Sequence, residues 1–263
     1  MLIAHLSDSH LRPRGVLYAG LINSNTMFEA AVAVVNALEP QPDLVVFTGD
    51  LVDEGTAEEY ADARRLLDGL DAPVLVMPGN HDEREAFRHA FRDHAYLPAE
   101  GPLHFAVDGA VRIVGLDVTV PGDHHGLVDE AAADWLDRTL EQAPERPTVL
   151  LMHQPPIECG VPYLDPYRCF GAERLAEIVS RHAQVERVLC GHVHRFMAVR
   201  FGGTLLCTAP STTTAIALRF EPEAEPASHV EPPAFLLHHW SRAGVMTTHH
   251  MPIGIFRGPL PFA

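Results

Sequence analysis

Leu44-Val45-Val46-Phe47-Thr48-Gly49-Asp50-Leu51-Val52-Asp53-Glu54-Gly55 reads as a buried strand that ends in a glycine and a carboxylate. Its apolar run is rich in β-branched residues and shows no polar alternation, the pattern of a strand covered on both faces. Asp50 then stands at the carboxyl end of a central strand, where open α/β sheets leave a crevice for ligands. A carboxylate has two oxygens and can bridge two cations, so an acid here suits a ligand shared by two metal ions.

The same ending recurs on either side of this stretch. Leu2 to Ser7 runs into Asp8-Ser9-His10. Residues two apart on an extended segment project to one side, so Asp8 and His10 are expected to reach one ion. Strand-like Pro73 to Met77 leads into Pro78-Gly79-Asn80-His81-Asp82, Thr148 to Met152 into His153-Gln154, and Val185 to Cys190 into Gly191-His192-Val193-His194. Helices fill the gaps. Asn25 is expected to cap one that stops before Pro40 and Pro42, and Thr56 with Glu59 forms a capping box before Ala63, Leu66, Leu67 and Leu70. Strand, helix, strand delivers parallel neighbours.

Further along, Asp108-Gly109 predicts a hairpin turn between 103–107 and 112–116. Helices are predicted over 128–140 and 173–181, and a last strand pair is joined at Ala243-Gly244. The loop 11–24, with Arg12, Arg14 and Tyr18, is expected to cover the crevice. Ser211-Thr212-Thr213-Thr214 is read either as part of the substrate mouth or as a polar turn. Most of His238, His239, His249 and His250 are expected at a surface or interface.

Composition narrows the function. The 263 residues carry 35 acids against 19 Lys+Arg, a formal charge of −16. Such a surface repels long polyanions, so a small substrate is expected and a nucleic-acid polymer is not. No apolar run reaches membrane-spanning length, and no membrane partner is expected. Met1-Leu2-Ile3-Ala4-His5 enters a strand pattern without the features of an export signal. Cys159, Cys169, Cys190 and Cys207 lack paired metal spacing, and together these features give a cytoplasmic protein with reduced thiols. The excess is in histidine, 17 in all.

Five strand-terminal clusters supply Asp8, His10, Asp50, Asn80, His153, His192 and His194. Oxygen and imidazole donors without thiolate suit Mn²⁺, Fe²⁺ or Zn²⁺. With Asp50 shared, each of two ions has four protein ligands and keeps open positions, as catalytic sites do.

These motifs, in this order, resemble the calcineurin-type metallophosphoesterases. The resemblance implies an α/β fold, a four-layer α/β/β/α sandwich, with two divalent metal ions above the strand ends. By analogy Asp8, His10, Asp50 and His194 would hold one ion, and Asp50, Asn80, His153 and His192 the other. A hydroxide bridging the ions would attack phosphorus. His81 is the expected proton donor to the leaving group, with Asp53 standing where related phosphatases orient that imidazole. In the protein serine/threonine phosphatases an arginine that grips the phosphate dianion follows the acid corresponding to Asp53. Here Glu54 takes that place, which favours a singly charged diester unless Glu54 points to solvent. The pattern is also similar to class III cyclic nucleotide phosphodiesterases and bacterial glycerophosphodiesterases. The expected activity is hydrolysis of a 3′,5′-cyclic nucleotide or a glycerophosphodiester. The alternatives are a broad phosphomonoesterase and, from another class, a non-catalytic scaffold. The boundaries expected are 1–218 for the catalytic domain and 219–263 for a cap or oligomerisation segment, and a homo-oligomer is expected.

Overall fold

The computed structural model describes residues 1–258, 260 and 261. In chain order the elements are β1 (Leu2–Leu6), α1 (Ser24–Asn36), β2 (Leu44–Thr48), α2 (Ala57–Leu67), β3 (Val74–Met77) and α3 (Arg84–Ala90). Then come β4 (Phe105–Val107), β5 (Arg112–Gly115), β6 (Gly126–Leu127), α4 (Glu130–Glu141), β7 (Thr148–Leu151), β8 (Cys169–Phe170), α5 (Ala172–Arg181) and β9 (Val185–Cys190). The last are β10 (Met197–Phe201), β11 (Thr204–Thr208), β12 (Ala215–Ile216), β13 (Ser228–His229), β14 (Ala234–Trp240) and β15 (Met246–Pro252).

Two sheets carry the fold, one ordered β15-β14-β1-β2-β3 and the other β10-β11-β9-β7-β5-β4. The alternation of side chains along each strand assigns its two faces. Ala4, Leu6, Val45, Phe47 and Val76 pack with Phe28, Tyr60 and Phe87 of α1 to α3. Ile3, Val46, Leu75 and Met77 face the other way and meet Ile113, Val149, Leu151 and Leu189 of the second sheet. The outer face of that sheet, with Val114, Leu150, Val188 and Leu206, is covered by Leu136 and Leu140 of α4 and Leu175 and Ile178 of α5. Three apolar interiors separate four layers, helices, sheet, sheet, helices. Both central strand sets are buried on two sides, which explains their unbroken apolar runs.

Local signals hold for the most part. Thr56 and Glu59 form both bonds of the capping box, and β4 and β5 pair antiparallel around Asp108-Gly109. The first helix is capped two residues earlier than expected: Asn23, not Asn25, accepts from Thr26 N. Asn25 turns away and exchanges hydrogen bonds with the backbone of Arg12, tying the preceding loop down. Residues 219–263 supply β13 and the β14–β15 hairpin, and β14 is hydrogen-bonded antiparallel to β1 inside the first sheet. Among the described residues no helix is long and apolar enough to cross a membrane.

The inter-sheet layer contains one polar thread. His5 Nε2 meets Thr48 Oγ1 at 2.8 Å, Thr48 donates to Ser7 Oγ at 2.9 Å, and His238 bonds Thr248 Oγ1 at 2.9 Å. His238 is therefore a buried residue with partners, not the surface residue expected, because its strand lies next to β1.

Candidate metal centre

The carboxyl ends of β1, β2, β3, β7 and β9 converge, since parallel strands place successive tips side by side. Backbone bonds join the loops that follow: Asp8 N to Gly49 O at 3.0 Å, His10 N to Asp50 O at 3.1 Å, Gly191 N to His153 O at 3.0 Å. Two of the motif glycines are explained by contact. A Cβ on Gly79 would overlap the Asp50 backbone nitrogen and carboxylate, and one on Gly191 would overlap Ser7 Oγ and crowd Asp8. The tips are packed so closely that only hydrogen fits between them.

Asp8, His10, Asp50, His192 and His194 all have left-handed backbone, with φ between 42° and 71°. Only one other non-glycine residue among those described, Ala19, shares it. Such geometry costs about 1–3 kcal/mol per residue and persists where the surroundings impose it, commonly at functional sites. Asp8 and His10 therefore do not meet by alternation along an extended segment, as expected. They meet because each takes left-handed backbone at the strand tip, while the chain runs on beside the segment after β2 as far as the parallel bridge between Leu11 and Val52.

The structure brings together all seven residues singled out above. Potential ligand atoms of Asp8, His10, Asp50 and His194 lie within 4.8 Å of one another, as do those of Asp50, His153 and His192. Asp50 is common to both groups. Its Oδ2 is 3.2 Å from His153 Nε2 and 3.8 Å from His10 Nε2. Asn80 Oδ1 lies 3.1 Å from His153 Nε2 and 3.0 Å from His192 Nδ1. Ring orientation is set from behind. His153 Nδ1 donates to Thr48 O at 2.6 Å and His194 Nδ1 to Thr214 O at 2.9 Å, which turns both Nε2 lone pairs toward the centre.

The electrostatics suit cations. Burial holds the Asp8 carboxyl up at about 6. Burial also acts against ionising Asp50, yet His153 and His81 beside it keep it well below the usual carboxylate range. Burial, then neighbouring His153, presses His192 down to about 3, and burial and His10 press His194 well below the ordinary histidine value. Both are neutral lone-pair donors at any physiological pH. Burial opposes charge on His153, but Asp50 raises it to about 9, so without a metal it carries a proton that an ion would replace. Among the described residues His192 Nε2 is buried without a hydrogen-bond partner. Converging carboxylates, inward imidazoles and an unpartnered ring nitrogen fit a pair of divalent ions.

Around this centre opens a cavity of about 310 Å³, walled by Tyr18, His81, His124, Leu164, Tyr167 and Ile216. Among the described residues no lysine or arginine lines it. Tyr18 stacks on His10 with ring centroids 4.8 Å apart, so the loop 11–24 does close one side of the crevice. Arg12 from the same loop turns away. Its Nη1 is 2.8 Å from Asp53, 2.7 Å from Glu54 and 3.1 Å from Glu59. Glu54 thus faces a guanidinium outside the cavity rather than a bound phosphate. The Asp53 carboxylate, expected to orient His81, lies 3.6 Å from His81 Nδ1 and 3.4 Å from His10 Nδ1. Ser211 and Thr213 sit beneath the site, not at its mouth, with hydroxyls directed at the Asp8 carbonyl. A second cavity, about 320 Å³, lies behind His194 and touches none of the other six residues.

Sequence reasoning gave His124 no role. It lies in a loop with no period and its neighbour is also histidine, so nothing local distinguished it. Nothing local singles out Gln154 either, although its Nε2 reaches the His124 carbonyl at 3.1 Å.

A four-layer sandwich with this centre at its strand tips defines a class, and the comparisons agree. Residues 1–196 match the family of calcineurin-like phosphoesterases, to which this chain belongs. Enzymes of that family use a dinuclear divalent metal centre. The chain is 34% identical over 264 residues to a probable glycerophosphodiester phosphodiesterase GpdQ of Arcobacter nitrofigilis, covering 100% of this chain and 97% of the relative. It is 32% identical over 213 residues to the 3′,5′-cyclic adenosine monophosphate phosphodiesterase CpdA of Escherichia coli K12, covering 80% of this chain and 75% of that one. Both relatives are named as phosphodiesterases, which supports hydrolase activity. A dimetal phosphatase from Danio rerio shares the fold, with a TM-score of 0.65 at 14% identity over 97% of this chain and 96% of that chain.

Proposed function

We propose that this chain hydrolyses small phosphodiesters, a 3′,5′-cyclic nucleotide or a glycerophosphodiester, with Asp8, His10, Asp50, Asn80, His153, His192 and His194 holding two divalent ions. Mn²⁺, Fe²⁺ and Zn²⁺ all suit these donors. The observation that carries the reading is the pair of ligand groups sharing Asp50 at the floor of an open cavity. When bound, two such ions lower the pKa of water and clamp phosphoryl oxygens. The chain's own residues do the rest. Asp50 spans both groups, His153 and His194 are aimed by backbone carbonyls, and His81, which lines the cavity, is the proton donor to the departing alkoxide in this reading.

The lining favours diesters. A monoester brings two negative charges and a diester one, and the cavity offers no guanidinium or ammonium to meet the second. Arg12 of the nearby covering loop is already engaged by three carboxylates. The two relatives are named as phosphodiesterases, and the match to the first covers 100% of this chain.

We also place the protein in the cytoplasm, in keeping with its four free cysteines. Residues 1–218 are read as the catalytic unit. Self-association through 219–263 is part of the same proposal, supported by exposed Phe220, Val230, Ile255 and Phe256.

The test is a panel of diesters and monoesters assayed with added Mn²⁺, beside metal analysis of the wild type and Asp50→Asn. Diester turnover that vanishes together with bound metal in Asp50→Asn is expected. A preference for monoesters would overturn the substrate assignment, and full activity in Asp50→Asn would overturn the site.

A further inference from the structure

Asn80 differs from the other ligand candidates because its side chain has two ends of nearly equal shape and opposite chemistry. The oxygen offers lone pairs, whereas the amide nitrogen offers only hydrogens and cannot bind a cation. Something must therefore fix which end faces His153 and His192. In this structure the oxygen does, and the nitrogen points the other way, 3.1 Å from Nδ1 of His124. An amide nitrogen is a donor, so His124 Nδ1 accepts, and the neutral ring carries its proton on Nε2. Turning the amide over would set its oxygen against the same lone pair and leave two acceptors facing each other.

His124 is itself held in place by its backbone. Its carbonyl accepts from Gln154 Nε2 at 3.1 Å, and its amide donates to Asp123 Oδ1 at 2.8 Å. Gln154 follows His153, so one segment supplies both a ligand candidate and the anchor of this loop. The ring contacts Tyr167 edge-on at 5.7 Å between centroids and closes the cavity wall beside His81.

We infer that His124 is a positioning residue: it orients the Asn80 carboxamide so that the oxygen, not the nitrogen, is presented to the ion shared by Asp50, His153 and His192. This rests on the metal-centre reading proposed above. Groups that orient metal ligands in this way typically affect affinity by about 10–100-fold.

The test is Mn²⁺ binding by chelator-stripped full-length protein, followed by calorimetry and by the electron paramagnetic resonance of free Mn²⁺. His124→Leu keeps bulk and loses the acceptor. His124→Asn restores an acceptor oxygen close to the position of Nδ1. The expected result is two bound Mn²⁺ in the wild type, about tenfold or greater weakening of one of them in His124→Leu with the other unchanged, and recovery in His124→Asn. Wild-type affinities in His124→Leu would overturn the inference, as would an Asn variant no better than Leu. Fewer than two Mn²⁺ bound by the wild type would overturn the metal-centre reading itself, so the two failures are separate results.

Discussion

His81 Nδ1 donates to the backbone carbonyl of Asp53 at 2.8 Å, and the carboxylate of the same Asp53 lies 2.8 Å from Arg12. The imidazole is thus fixed by main chain, which no side-chain substitution at position 53 removes. The carboxylate serves different neighbours. It is 3.4 Å from Nδ1 of His10, whose charged form it favours against the opposing effect of burial.

Asp53→Asn should therefore act on the centre through His10 and leave His81 alone. Metal affinity is expected to fall about tenfold or more, in line with other groups behind metal-binding histidines. At saturating Mn²⁺ the ratio of kcat for alkyl and p-nitrophenyl diesters should match the wild type. A changed ratio with unchanged affinity would return the carboxylate to His81.

His81→Ala should separate proton donation from metal binding. An alkoxide leaving group needs a proton and should lose about 10²–10⁴ in kcat. A p-nitrophenolate leaves unaided and should lose far less, while metal content stays at the wild-type level. Equal losses on both substrates would remove the donor role.

Stability of the metal-free protein should peak near pH 6.5. Burial first, and charged neighbours second, hold His5 and His194 well below the ordinary value of 6.5, and His192 and His238 at about 3. The unfolded chain takes up these four protons below pH 6.5 and the folded chain does not, so acid destabilises. Asp8 and Asp82, raised to about 6 by burial, oppose this between 3.8 and 6, two groups against four. On the alkaline side His153 governs. Its folded value is about 9, so its contribution is complete below 6.5 and is lost as pH rises through 9. Urea midpoints measured in chelator at pH 5, 6.5 and 9 should be highest at 6.5; a higher midpoint at pH 9 would contradict the role given to His153.

Much of the site was legible because its residues sit where a local rule puts them. A buried parallel strand announces itself by an apolar run, and the polar residue just past it must lie at the sheet's ligand edge. Asp50, Asn80, His153 and His192 follow from that rule alone. The capping box at Thr56 and the turn at Asp108-Gly109 are likewise local bonds, and both form. Arg12 and Glu54 were not legible. Their pairing joins residues 42 apart in sequence, and one arginine could have met phosphate as easily as acid. His238 was misjudged for a similar reason, since its burial depends on β14 lying beside β1.

The sequence by itself determined the buried strands that carry the candidate site, the order of their tips and the chemical type of each candidate donor, because these rest on hydrophobic period and side-chain identity. Tertiary structure alone decided that Oδ2 of Asp50 faces both His10 and His153, that Arg12 leaves the cavity, and that Asn80 turns its nitrogen to His124. Such choices depend on distances of about 3 Å between segments far apart in the chain, and hydrogen bonds weaken steeply beyond that range.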